Sequence, residues 1–83
     1  METSDQRSRF LDISGEVCPL TFVRTRLALD ELAPGAVLEV RLADGEARDN
    51  VPRAAAELGH RVLGLEVEAG SGGRFYRLKI QKI

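Results

Sequence analysis

The clearest pattern in the chain is a strict alternation of apolar and polar positions over residues 37–42. Leu38, Val40 and Leu42 occupy one set of alternate positions, and charged residues separate them. Because successive side chains of a strand point to opposite faces, this alternation predicts a strand with one buried face. The same alternation predicts three further strands, over residues 9–13, 61–69 and 75–83.

The last two of these strands are predicted to form a hairpin. The glycine-rich sequence of residues 70–73 is typical of a flexible turn between two antiparallel strands. Each strand then turns three apolar residues toward the interior. These residues are Leu63, Leu65 and Val67 in the third strand, and Tyr76, Leu78 and Ile80 in the fourth.

Residues 19–32 follow a helical period instead. Two apolar stripes run along this helix, and a helix that buries both must contact two neighbours, such as a sheet and a second helix. The helix is predicted to end before Pro34 and Gly35. The stripes consist of Leu20, Val23 and Leu27 on one side, and of Phe22, Leu29 and Leu32 on the other.

A second helix is predicted to begin near Asp49 or Asn50 and to end at Gly59. Pro52 would then lie in the first turn, where the N–H that proline lacks has no helical partner. The apolar stripe of this helix consists of Val51, Ala55 and Leu58.

The order βαβαββ predicts an α/β (α+β) two-layer sandwich, with two helices on one face of a four-stranded mixed sheet. Residues 1–8 are polar and are predicted to form a flexible tail, so the domain spans residues 9–83. If each helix runs antiparallel to the strand before it, both helix starts and the glycine turn lie at one end. Arg48, Asp49 and Gly72 would then surround Cys18, whereas His60 would lie at the opposite end.

Composition narrows the function classes. The 83 residues carry 12 basic and 13 acidic side chains, so the near-neutral charge argues against direct binding of nucleic acid. One cysteine and one histidine exclude an internal disulfide and give no zinc motif, and no cofactor is predicted. No segment has the pattern of a signal peptide or a membrane span, so we expect a cytoplasmic protein.

Cys18 is the main candidate for chemistry. Pro19 suits the first helical position, which would make Cys18 the residue that caps the helix. The sulfur would then face the amides of Leu20 and Thr21, which would stabilise a reactive thiolate, although the nearby Glu16 carboxylate would oppose this. The alternative is that Cys18 is a buried, inert cysteine that behaves as a small apolar residue.

A series of residues with a characteristic spacing runs along nearly the whole chain after residue 9: Leu11-Asp12, Gly15, Cys18-Pro19, Arg26, Leu32, Pro34-Gly35, Asp44, Asn50-Val51-Pro52 and Gly59-His60. In these residues the chain resembles the TusA/SirA-like sulfur-carrier family. The resemblance implies that Cys18 carries sulfur as a persulfide, as a carrier and not as a stand-alone turnover enzyme, with Arg26 at the family's basic helix position. It implies a cysteine desulfurase or rhodanese-type donor, and an acceptor protein in tRNA thiolation, sulfur oxidation or cofactor assembly.

The chain departs from the family's Cys-Pro-x-Pro motif at Thr21, which replaces the second proline. Unlike proline, Thr21 has an N–H that could reach the sulfur. Two other functions stay open at this point. One is a noncatalytic interaction or regulatory domain with an incidental cysteine, which would keep its partner after Cys18→Ala. The other is an RNA-binding module, although the sequence lacks the aromatic positions such modules use.

Overall fold

The computed structural model describes residues 8–17 and 20–83. The order of its elements is the βαβαββ order that the sequence predicts. The elements are β1 (Ser8–Asp12), α1 (Leu20–Asp30), β2 (Val37–Ala43), α2 (Glu46–Glu57), β3 (Arg61–Val67) and β4 (Phe75–Gln81).

The four strands form one mixed sheet in the order β1-β2-β4-β3. β1 and β2 are parallel, and β4 is antiparallel to both of its neighbours. Parallel neighbours need a crossover connection, which α1 provides. The two helices contact each other and share the buried face of the sheet, so the predicted two-layer sandwich is confirmed.

The core lies between this sheet face and the helices. Leu38, Val40 and Leu42 of β2 are fully buried, as their alternation predicts, and Leu78 and Ile80 of β4 lie beside them. Burying a side chain of this size is worth about 1.5–3 kcal/mol. The helices contribute Ala28, Leu29, Val51 and Ala55.

One of the two apolar stripes predicted to be buried in α1 is exposed. Leu20, Val23 and Leu27 are solvent-accessible, whereas Thr21 and Thr25 are buried. At 100° per residue, the exposed stripe lies on the side of the helix opposite the threonines. A helix in a two-layer sandwich buries only the side that faces the sheet and its neighbouring helix, so the prediction that both stripes are buried is wrong.

α2 begins about one turn earlier than predicted. Gly45 precedes its first residue with φ +134°, and the Arg48 N–H donates to the Gly45 carbonyl. Pro52 therefore lies inside the helix and not in its first turn. The predicted end is confirmed, because Gly59 has φ +94° and its N–H bonds back to the last turn, but Leu58 is exposed and not buried.

β3 differs from prediction in its register. Leu65 lies opposite Leu78 and Val62 opposite Ile80, with a register shift between Val62 and Gly64 that puts Leu63 out of phase. β3 lies at the edge of the sheet, and Leu63, Leu65 and Val67 are exposed. Their predicted burial is therefore wrong.

Candidate functional site

The ends of three strands determine where the candidate site lies. Asp12 of β1 is paired with Arg41, and Ala43 of β2 with Phe75 at the start of β4. The starts of both helices and the turn of residues 70–73 are therefore at one end of the sheet, as predicted. The Asp44 N–H donates to the Arg74 carbonyl at 2.9 Å and ties the start of α2 to this turn.

Cys18 and Pro19 lie outside the described residues, so the predicted helix cap and the thiolate stay predictions. Their described neighbours are both accessible, with Val17 72% and Leu20 50% exposed. The Leu20 N–H donates to the Val17 carbonyl at 2.9 Å. The amide of Leu20, predicted to face the sulfur, is therefore already engaged by a backbone carbonyl.

Thr21, in the first turn of α1, is buried although its side chain is polar. Its side chain is only 1% exposed, and its Oγ1 has no hydrogen-bond partner within residues 8–17 and 20–83. Thr25, one turn later, donates from Oγ1 to the Thr21 carbonyl at 2.8 Å. The sequence places these threonines four residues apart on the helix face that also carries Ala28, Leu29 and Leu32, which are buried with them.

Arg24 forms an ion pair with Glu16, the carboxylate that was predicted to oppose thiolate formation. Its Nη1 lies 2.9 Å from Glu16 Oε2, and both side chains are partly accessible. The negative charge of Glu16 therefore has a cationic partner close by. Sequence reasoning missed Arg24, because residues eight apart across a loop and a helix start have no characteristic spacing.

Arg26 is exposed on α1. It lies six residues beyond Leu20, which is about 9 Å along the helix axis. Among the described parts of the chain it has no ion-pair partner. Its side chain is thus accessible to another molecule.

Three residues were predicted to form a rim around Cys18, and they differ in how firmly the fold holds them. Arg48 donates to the Tyr76 hydroxyl at 3.2 Å and pairs with Asp44 at 3.1 Å, and the hydrogen bond to Tyr76 raises the pKa of Arg48. Asp49 is exposed, 3.7 Å from the Arg48 guanidinium. Gly72 is exposed with φ +66°, a conformation that favours glycine.

The glycine turn is more ordered than its composition predicts. Ser71 is buried within it, and its Oγ donates to the Glu68 carbonyl at 2.8 Å. The Glu68 carboxylate in turn accepts hydrogen bonds from Arg41 and Arg77, which lowers the pKa of Glu68 to about 2. These contacts join the start of β4 to β2 on the face of the sheet that the helices leave open.

A small cleft of about 200 Å³ separates the loop before Cys18 from the start of α2. It is acidic, because three of its lining residues are Glu16, Asp44 and Glu46. The described residues contain no group of three or more His, Cys, Asp or Glu side chains that could hold a metal ion.

His60 lies at the opposite end of the molecule, as predicted. Its Nδ1 accepts a hydrogen bond from the Ile83 N–H at 3.2 Å, next to the C-terminal end of α2. A histidine at that end cannot act as a base for Cys18. Neither described helix is long and apolar enough to cross a membrane.

Comparisons with known proteins identify the family. A family model described as "Sulfurtransferase TusA" matches residues 9–82. A candidate sulfur carrier protein of Thermotoga maritima is 37% identical over 71 residues, which is 86% of this chain and 90% of the relative. The sulfur carrier protein TusA of Pseudomonas entomophila is 38% identical over 61 residues, covering 74% of this chain and 76% of the relative.

A solved structure has the same fold. The SirA-like protein of Desulfitobacterium hafniense matches with a TM-score of 0.70 and 27% identity, over 88% of this chain and 95% of that protein. The predicted fold and the predicted family resemblance are therefore both confirmed.

Proposed function

The chain belongs to the TusA sulfurtransferase family, and we propose that it holds sulfur as a persulfide on Cys18 and relays it from a donor protein to an acceptor protein. The relatives named as sulfur carriers support the carrier role. Cys18 is the residue that carries the proposal, because it is the only thiol in the sequence.

The chemistry needs a nucleophile and no cofactor. The Cys18 thiolate attacks the terminal sulfur of a persulfide on the donor, so that a new S–S bond forms on Cys18. The donor's S–S bond breaks, and its thiolate leaves with the electron pair, so the transfer involves no net oxidation. Because the chain has no second thiol, the persulfide cannot be resolved into an internal disulfide and must pass to a partner. The protein is thus a carrier that returns to its starting state once per transfer.

We further propose that neighbouring residues stabilise the Cys18 thiolate and that others form a docking rim around it. A thiol near a helix N-terminus is stabilised as thiolate by the helix dipole and by free backbone amides. Pro19 would start the helix, the Thr21 amide would face the sulfur, and Arg26 would add positive charge. Because the Leu20 N–H already donates to the Val17 carbonyl, it would not donate to the sulfur. Leu20 would belong to the site only as an exposed residue close to Cys18. Asp49 and Gly72 would form a docking rim together with Arg48, which the fold already holds in place.

The partners follow from the family. We propose that a cysteine desulfurase or a rhodanese-type protein is the donor. The acceptor would be a protein of tRNA thiolation, sulfur oxidation or cofactor assembly. The exchange would take place between proteins in the cytoplasm, without direct contact with nucleic acid or a membrane.

The test is the intact mass of the protein after incubation with a cysteine desulfurase and free cysteine, with a rhodanese and thiosulfate, or with sodium polysulfide. We expect a gain of one sulfur atom that a reductant removes, and no gain for Cys18→Ala. If none of the three donors loads the wild type and Cys18 is alkylated slowly, the carrier function is wrong. The noncatalytic interaction domain would then be the better explanation.

A further inference from the structure

The outer edge of β3 is open to another strand. In the described sheet β3 pairs with β4 on one side, and no strand covers its other side. An uncovered edge presents backbone N–H and C=O groups that can pair with a further strand. Leu63, Leu65 and Val67 are exposed along this edge, at 48%, 38% and 53%. The edge therefore offers both backbone groups and apolar side chains to a strand from outside.

The opposite edge of the sheet, formed by β1, has a different character. Its five described residues include Arg9 and Asp12, and Arg9 pairs with Glu31. Charged side chains are a usual protection of a sheet edge against further pairing. Residues 63–67 of β3, in contrast, carry a single charge, that of Glu66. Of the two edges, β3 is thus the one suited to accept a strand.

We propose that β3 pairs antiparallel with β3 of a second copy of this chain, which joins the two sheets into one of eight strands. Two identical strands related by a twofold axis must pair around one residue that faces its own copy. The register shift between Val62 and Gly64 disturbs the first part of β3. The residue at the axis therefore lies in the regular part, residues 64–67.

Leu65 is the residue that suits the axis. It would lie opposite Leu65 of the second copy, with Cβ atoms about 5 Å apart, and Glu66 would lie opposite Gly64. With Glu66 or Val67 at the axis, carboxylates would lie directly opposite each other, which is destabilising. With Gly64 at the axis, Glu66 would lie opposite an apolar residue. Only the register centred on Leu65 pairs like with like and keeps the carboxylates apart.

The charges on the open face of the sheet complement each other in this register. Gly64 lies opposite Lys79 of β4 in its own sheet. Lys79, Gly64 and Glu66 of the second copy would therefore form one row across three strands. Neighbouring strands are about 4.8 Å apart, so Lys79 and that Glu66 would be about 10 Å apart at the backbone.

Gly64 leaves the space between these two side chains empty. A Cβ built on Gly64 would meet no atom within 4 Å, so the long, flexible stem of Lys79 can cross it toward the Glu66 carboxylate. Both side chains are exposed, and neither has an ion-pair partner in the part of the chain that the structure describes. The twofold axis would form this ion pair twice, which makes the edge complementary to itself.

The dimer would leave the candidate site of both copies accessible. β1 lies at the far edge of the sheet from β3, and α1 packs on α2 and β2. The start of α1 would thus stay free in each copy, and the inference does not depend on the proposed carrier function. Because two short strand segments bury little surface, the dimer should be weak, with a Kd between about 1 μM and 1 mM.

The test is sedimentation equilibrium at chain concentrations from about 1 μM to 1 mM, in a reductant so that Cys18 forms no disulfide. We expect the average mass of the wild type to rise from 9.1 kDa toward twice that value. Glu66→Lys and Lys79→Glu each turn both ion pairs into repulsions, so each should raise Kd about tenfold or more. The double variant Glu66→Lys/Lys79→Glu restores the pairs with the charges exchanged, and its Kd should return to within about threefold of the wild type.

Asp30→Lys is the matched control, because it makes the same change in net charge at an exposed position at the end of α1. Its Kd should equal that of the wild type. Leu65→Thr tests the centre of the contact independently of charge and should also raise Kd, since threonine suits a strand but buries less apolar surface. Urea unfolding at about 1 μM shows that each variant is folded.

A wild type that is monomeric at every concentration would overturn the inference. So would a dimer that Leu65→Thr or the single charge variants leave intact, or one that the double variant fails to restore. An equal loss of dimer in Asp30→Lys would also overturn it, because net charge and not the pairing of Glu66 with Lys79 would then control association.

Discussion

Replacing Thr21 by valine should stabilise the protein. Valine keeps the shape of the side chain and removes a hydroxyl that is 1% exposed and has no hydrogen-bond partner in the described parts of the chain. A buried polar group without a partner costs about 1–3 kcal/mol. We therefore expect the free energy of unfolding to rise by about 1–2 kcal/mol, which is roughly 4–16 °C in Tm for a domain of this size.

Thr25→Val is the matched control, one turn further along the same buried face. Its hydroxyl donates to the Thr21 carbonyl at 2.8 Å, so the substitution removes a formed hydrogen bond. The net value of such a bond is about 0.5–1.5 kcal/mol. The two valine variants should therefore change the unfolding free energy with opposite signs, although they make the same chemical change on the same helix.

Urea and thermal unfolding of both variants measure this difference, provided that the slope of unfolding free energy against urea is unchanged. A loss of stability in Thr21→Val equal to that in Thr25→Val would refute the reasoning, because the hydroxyl would then have a partner outside the described residues. The rate of Cys18 alkylation as a function of pH identifies one such partner. If the variant raises the pKa of Cys18, the Thr21 hydroxyl bonds to the sulfur.

Two further predictions concern stability. Lys82 donates from Nζ to the Leu29 and Leu32 carbonyls at 2.7 and 3.0 Å at the end of α1, so Lys82→Met should lower the unfolding free energy by about 1 kcal/mol, whereas the exposed Lys79→Met should leave it unchanged in urea titrations. Glu68 has a pKa of about 2, below its ordinary 4.5, because of its arginine partners. The contribution of Glu68 to the free energy of unfolding is therefore complete above pH 4.5 and is lost as the pH falls toward 2. In thermal melts over this range the wild type should lose more stability than Glu68→Gln, and parallel losses would contradict the assignment.

The candidate site was partly predictable for the same reason that the fold was. Alternation identifies the buried face of β2, and the order of strands and helices determines which ends meet, so the start of α1 could be placed at the same end as the start of α2 and far from His60. The engaged amide of Leu20 and the ion pair of Arg24 with Glu16 were not predictable, because both depend on how a loop enters a helix.

The start of α2 shows a similar limit. Asn50 and Asp49 are good helix-capping residues, yet the helix begins at Glu46 after Gly45, which has no side chain to cap it. Glu46 and Asp49 instead place negative charge in the first turn, where the helix dipole favours it. Several weak local preferences compete within one turn, and the earlier start lets Ala47 pack against the core.

By itself, the sequence determined the order of the elements, the buried faces of β2 and β4, and the family, because each depends on local periodicity or on a run of matched residues. Only the tertiary structure decided which side of α1 is buried. That helix has apolar residues on both sides, so its period allows two orientations, and the sheet with α2 selects the one that buries Thr21 and exposes Leu27. The exposure of Leu20, Val23 and Leu27 is a consequence of that choice.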